Sequence, residues 1–156
     1  MTGLAHGDEV DAGDGDCQTG GASRFIRGPA VRCSFPEMIT RIDFIGIPSQ
    51  DADRARDFYR DTLGLRPDEH GDYEQWAGDT CFGVWEPEGM GRPFVAQKGN
   101  PWALGCDDIA ATRAELEAKG VEFAGDTLDT GVCHMAFFAD PDGNELMLHH
   151  RYAPYA

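Results

Sequence analysis

IDFIGIPSQDADRARDFYRDTLGL, residues 42–65, contains a strand, a helix start, an amphipathic turn-and-a-half and a helix stop in 24 consecutive residues. Ile39–Ile47 is rich in β-branched and aromatic residues and reads as a largely buried strand, closed by Pro48. Asp51 then sits where a short oxygen-bearing side chain accepts the free N–H groups of a helix start. Behind it Ala55, Phe58, Tyr59 and Thr62 fall at i, i+3, i+4 and i+7, one apolar stripe of a helix. Gly64 occupies the position just past the last turn, where a left-handed backbone ends a helix most cheaply in glycine.

Short strands are predicted around 65–69, 73–77 and 80–86, separated by Gly71 and by the turn pair Gly78-Asp79. Pro87 to Pro101 is rich in Gly and Pro and reads as a linker. The same order then returns. Trp102–Cys106 is a strand, Asp107 and Asp108 cap a helix through Ile109, Thr112 and Leu116, and Gly120 stops it. Glu115 and Lys119 form an i, i+4 pair on that helix. Strands are predicted near 121–124, 132–139 and 144–151, with the turn Asp140-Pro-Asp-Gly143 between the last two. Gly64 and Gly120 lie 56 residues apart, and each half runs strand, capped helix, Gly, more strands: an internal duplication of pattern.

The first 37 residues differ from this. GDEVDAGDGDCQTGGAS is rich in Gly and Asp and has no period of 2 or 3.6, so it reads as a flexible acidic tail before a domain spanning 38–156. Met38 stands where the patterned sequence begins, and a genuine tail and an initiation at Met38 both fit the sequence. With 13 Lys and Arg against 28 Asp and Glu, the formal charge is −15, which argues against nucleic acid or an anionic membrane as partner. No apolar run reaches membrane-spanning length. Five cysteines without CxxC spacing read as reduced thiols of a cytoplasmic protein.

Two stretches carry a family resemblance: residues 42–65 quoted above, with FY…LGL at the end, and MAFFADPDGNELMLHH, residues 135–150, with its F-x-DPDGN turn. Together with WALGCDDIAATRAELEAKGV, residues 102–121, the chain resembles the vicinal oxygen chelate superfamily, which includes glyoxalase I, bleomycin and fosfomycin resistance proteins and extradiol dioxygenases. The resemblance implies an α+β fold of two βαβββ modules, a curled, cup-shaped mixed sheet with helices outside. It also implies a homodimer, as is usual in the family. The fold hosts many reactions and names none of them.

The resemblance further implies four inward positions where relatives hold a divalent metal with His or Glu. Counted from the caps and the DPDG turn, they fall here at Phe44, Pro101, Met147 and near Val84, none a useful ligand for a hard or borderline cation. The expectation is a site without metal or other cofactor. Strand alternation from these positions predicts a lining of Phe44, Phe82, Val84, Pro101, Ala103, Cys133, Met135, Phe137 and Met147. His149, Glu86 and Glu145 are its polar points, with His134 and Phe138 on the helix side. Such a lining suits a hydrophobic or aromatic small molecule. His149 and Glu86 are the candidate acid–base groups if the protein is an enzyme; a binding or resistance protein needs neither. The same apolar residues can equally fill the cup as core, and the His149-His150 pair can be solvated. The alternative is a metal-dependent lyase, isomerase or dioxygenase using Glu86, Glu145 and His149.

Overall fold

The computed structural model describes residues 39–154, so the acidic segment 1–37 and the boundary at Met38 lie outside the described residues. The element order is β1 (Phe44–Pro48), α1 (Ala52–Asp57), β2 (Arg66–Pro67), β3 (Glu74–Ala77), β4 (Thr80–Trp85), then β5 (Trp102–Gly105), α2 (Ile109–Ala118), β6 (Leu128–Asp129), β7 (Cys133–Ala139) and β8 (Glu145–Arg151). A π-helical turn, Phe58–Thr62, continues α1, and a 3-10 turn, Glu88–Met90, follows β4. The strands form two four-stranded mixed sheets of like topology, β1-β4-β3-β2 and β5-β8-β7-β6. Each has one parallel pair, β1 with β4 and β5 with β8, and is antiparallel elsewhere. This is βαβββ twice, with neither sheet closed into a barrel.

Local chemistry places the helices where the sequence predicts them. Asp51 accepts the Arg54 N–H at 3.0 Å and Asp108 accepts the Ala111 N–H at 3.0 Å, each satisfying a first-turn donor. Gly64 and Gly120 end the helical segments with φ of 73° and 90°, a backbone that a Cβ would strain. Lys119 meets Glu115 at 3.0 Å and donates to the Thr62 carbonyl at 3.0 Å, tying α2 to the turn after α1.

Two strand predictions are corrected. β1 begins at Phe44 rather than Ile39, because its parallel pairing with β4 begins at Phe44 and Cys81; residues upstream of Phe44 pair with no strand, and Ile39 and Ile42 stay exposed. Residues 121–124 contribute only a single bridge, Phe123 to Phe138, while Leu128–Asp129 takes the rest of the β7 edge opposite Met135 and His134.

The core draws on both modules: Ile47, Phe82 and Val84 from the first sheet, Ala136, Phe138, Leu146 and Leu148 from the second, Ala55 and Tyr59 from the first helical segment and Leu116 from α2. The Asp140–Asn144 turn joins the modules. Buried Asp140 accepts the Tyr59 hydroxyl at 3.0 Å, the Asn144 amide at 2.7 Å and the N–H groups of Asp142 and Asn144. Asn144 also donates to the Pro48 carbonyl, Ser49 donates to Asp142 at 2.7 Å, and Arg54 pairs with Asp142.

Candidate functional site

The strand pairings fix which side chains share a face. On the second sheet, Met135 lies opposite His149 and Phe137 opposite Met147, while Ala103 and Gly105 pair with Met147 and His149 from the other side. The neighbouring residues Ala136, Phe138, Leu146 and Leu148 point to the core. Ala103, Met135, Phe137, Met147 and His149 therefore form one face, away from the helices, with the buried Cys133 and with Glu145 at its ends. Glu145 accepts the Gly99 N–H at 2.6 Å, which ties it to the linker. Pro101, Phe137, Glu145 and Phe123 line a cavity of about 560 Å³ at this end of the sheet. Cys133 is held by Thr130, whose hydroxyl is 3.1 Å from its sulfur.

His134 and His150 are cross-strand neighbours with the parity of the core residues. His134 stacks near Tyr152, centroids 4.9 Å apart, and lies 3.6 Å from Asp129. His150 Nδ1 is 2.9 Å from the Cys106 carbonyl. Tyr152 donates to Asp129 at 2.7 Å; that bond and the Gly131 N–H hold the Asp129 carboxyl below its ordinary range.

On the first sheet the expected facing of three residues is corrected. Phe82 and Val84 point into the core, not the cup: Phe82 packs against Tyr59 and Trp102, with centroids 6.0 and 6.2 Å apart. The parallel register sets Phe44, Gly46 and Pro48 opposite Cys81, Gly83 and Trp85, so the odd-numbered residues of β4 share the Phe44 face. Glu86 lies past the end of β4 and accepts the Ala52 N–H at 2.9 Å, a partner to the first turn of α1 rather than a group free for chemistry. The residues the sequence reading missed are those of odd parity: Gly46, Gly83 and Trp85, with Glu74 and Trp76 beside them on β3. Trp76 donates to Asp68 at 2.8 Å and carries the Arg66 guanidinium 5.6 Å from its ring. Gly83 pairs with Gly46 as Met147 pairs with Ala103, and 46 and 103 stand equally far before Asp51 and Asp108, so the register makes Gly83 the counterpart of Met147.

The four positions equivalent by this register are Phe44, Gly83, Pro101 and Met147, which together offer one thioether and no nitrogen or oxygen side-chain donor. That set does not fit a divalent metal of the usual kind. Among the described residues no three His, Cys, Asp or Glu side chains stand together as a metal-binding group. No helix among them is long and apolar enough to cross a membrane.

One chain thus presents two sheet faces turned away from the shared core. Phe44 is 66% exposed, Ala103 and Gly105 are exposed, and Trp76, Trp85, Met135, Phe137, Met147 and His149 are half-buried, so each face is only partly covered within the chain. Twin βαβββ modules with helices on one side and open faces on the other define a paired-module, cup-forming class of proteins. The chain belongs to the Glyoxalase/Bleomycin resistance protein/Dioxygenase superfamily, whose family model matches residues 41–148. It is similar to TnmS3, an antibiotic binding protein from Streptomyces sp. CB03234, at 27% identity over 73% of this chain and 98% of that one, with a TM-score of 0.56. A glyoxalase/bleomycin resistance protein from the same strain is 28% identical over 70% of this chain and 100% of its own, with a TM-score of 0.53. A glyoxalase family protein from Bacillus anthracis shares the fold at 19% identity, covering 75% and 99% of the two chains, with a TM-score of 0.61. A comparison with curated proteins gives no match.

Proposed function

We propose that this is a small-molecule-binding protein of the resistance type, whose pocket closes when the Phe44 face of one copy meets the Met147 face of a second, and which works without a metal. The observation that carries this is the pair of part-exposed faces. The first presents Phe44, Trp85 and Trp76; the second presents Met135, Phe137 and Met147 around His149. Part-exposed apolar faces of this kind mark ligand or partner surfaces, and in this reading each face is half of a cup that a second copy completes. Aromatic and thioether groups bind by shape and polarizability and suit a hydrophobic or aromatic molecule. The similarity to an antibiotic binding protein supports the same reading. The reading places the protein in the cytoplasm, with Cys81, Cys106 and Cys133 as free thiols.

One observation favours an enzymatic variant of this reading. His149 is half-buried between Met135 and Gly105 on the concave face, where an imidazole can move a proton to or from a bound molecule. The test is a thermal-shift screen with hydrophobic and aromatic compounds on the wild type, followed by Met147→Ala and His149→Ala. A binding protein loses ligand-induced stabilisation in Met147→Ala and consumes no ligand. Turnover that disappears in His149→Ala establishes the enzyme, and a full response in Met147→Ala refutes the site.

A further inference from the structure

The shared core is left open on one flank. Of the part-exposed apolar residues packed around it, all but Phe58 and Phe123 line a single cavity of about 720 Å³ between the two modules. The strand registers explain how it forms. Ile45 pairs with Phe82 in the first sheet and Leu104 with Leu148 in the second, so each sheet turns core-side residues toward it. Phe82, Leu116 and Leu148 are the buried part of the lining, and Phe82 meets Trp102 edge-on, with centroids 6.2 Å apart, across the two modules. Exposed Gly64, Gly78, Ala103 and Gly105 make the rim, where a Cβ on any of the three glycines would meet nothing within 4 Å. Met147 stands between Leu146 and Leu148 on β8 with the opposite parity, so the cavity and the Met147 face lie on opposite sides of the same strand.

No lining residue is charged, in a chain of which 26% is Asp, Glu, Lys or Arg. An ionic group brought here loses its hydration and gains no partner. Polar side chains are few: Thr112 bonds the Cys106 thiol, and the Thr80 hydroxyl has no partner among the described residues. Water against such walls finds few partners, and the volume is that of a small-molecule site. A second copy of the chain fits poorly, because a protein of formal charge −15 offers a largely acidic surface to an uncharged recess. We propose that this inter-module cavity is a second binding site, for an uncharged, mostly hydrocarbon molecule carrying one hydroxyl or carbonyl that pairs with Thr80. It is independent of the cup formed by the Phe44 and Met147 faces and stands or falls without it.

The experiment titrates the full-length protein by calorimetry with three probes on one carbon skeleton: perillyl alcohol, its carboxylate perillate, and the hydrocarbon limonene. Perillyl alcohol is expected to bind roughly tenfold more tightly than perillate, whose charge finds no partner. Thr80→Val keeps the shape of the side chain and removes its hydroxyl; it should weaken perillyl alcohol about fivefold and leave limonene within about twofold. Leu104→Trp fills the cavity from the second module and Ala77→Leu narrows it from the first. Each should abolish binding of both neutral probes, with melting curves confirming native variants. Met147→Ala, on the other side of β8, should leave perillyl alcohol within about twofold of wild type. Equal affinity for perillyl alcohol and perillate, equal losses of alcohol and hydrocarbon in Thr80→Val, or unchanged binding in both cavity variants overturns the proposal. Loss in Met147→Ala with none in Leu104→Trp moves the ligand to the cup, which overturns this site while the cup reading stands. A wild type that binds none of the three also overturns it, and if Leu104→Trp then turns a dimer into a monomer in light scattering, a second copy covers the cavity instead.

Discussion

Gln75 is fully buried on the core side of β3, opposite Phe82, and neither the oxygen nor the nitrogen of its amide has a partner among the described residues. A desolvated, unpaired amide costs more than an apolar group of equal shape, so Gln75→Met, which keeps the length and removes the polarity, is expected to stabilise the domain. A gain of about 1 kcal/mol corresponds to a rise of roughly 4 °C in melting temperature for a domain of this size. An unchanged or lower Tm by calorimetry would mean that the amide is satisfied by internal water. Sequence reading placed a strand here and gave this residue no role: periodicity reports which face a residue takes, whereas the pairing of an amide depends on what packs above it.

At the scale of elements, the turn after β7 determines how the modules lock. Tyr59 is buried beside Asp140, and both its desolvation and that carboxylate push its hydroxyl pKa well above the ordinary value. Because the folded pKa is the higher one, the neutral phenol contributes stability that is complete below about pH 10, where an unfolded tyrosine titrates, and is lost as pH rises beyond it. Tyr59→Phe should therefore remove part of the alkaline sensitivity while lowering stability near neutral pH by about 1–2 kcal/mol, since Asp140 loses a donor. Denaturant titrations of both proteins at pH 7 and pH 10.5 measure the difference; parallel losses would show that Tyr59 does not govern it. Asn144→Ala removes the bonds to Asp140, the Pro48 carbonyl and the Gln97 N–H at once and is expected to cost about 3 kcal/mol. A loss below 1 kcal/mol in a denaturant titration would show that the turn does not hold β1 and the linker. The helix caps at Asp51 and Asp108 and the two Gly stops were legible because those signals are local. The bond from Asn144 to the Pro48 carbonyl, 96 residues away, has no sequence signature beyond the turn itself.

For the whole molecule, the part-exposed faces make a homodimer the expected state: light scattering at micromolar concentration should give about twice the 17.0 kDa chain mass. Chains carrying Phe44→Ala, co-expressed with chains carrying Met147→Ala, place an intact Phe44 face against an intact Met147 face in one of the two pockets of a mixed dimer. Ligand binding by the purified mixed dimer, tagged on both chains, should recover toward half the wild-type stoichiometry. A monomer that binds ligand at full stoichiometry would show that each pocket is made by one chain.

The sequence by itself determined the duplicated strand–helix–strand order, both helix starts and stops and the residues sharing a face of β7 and β8, because these depend on neighbours a few positions apart and on strict two-residue alternation. It misplaced Phe82 and Val84, since a one-residue slip in parallel register turns a whole strand over and nothing within β4 reports its alignment with β1. Only the tertiary structure decided that Gly83 and Trp85 share the Phe44 face, that the Glu86 carboxylate serves the Ala52 N–H, and that Phe44, Ala103 and Gly105 stay exposed on the faces turned from the core. Those outcomes follow from long-range pairing and from the packing of two modules through a common core, where the winning contact is set by geometry between distant segments rather than by the residues on either side.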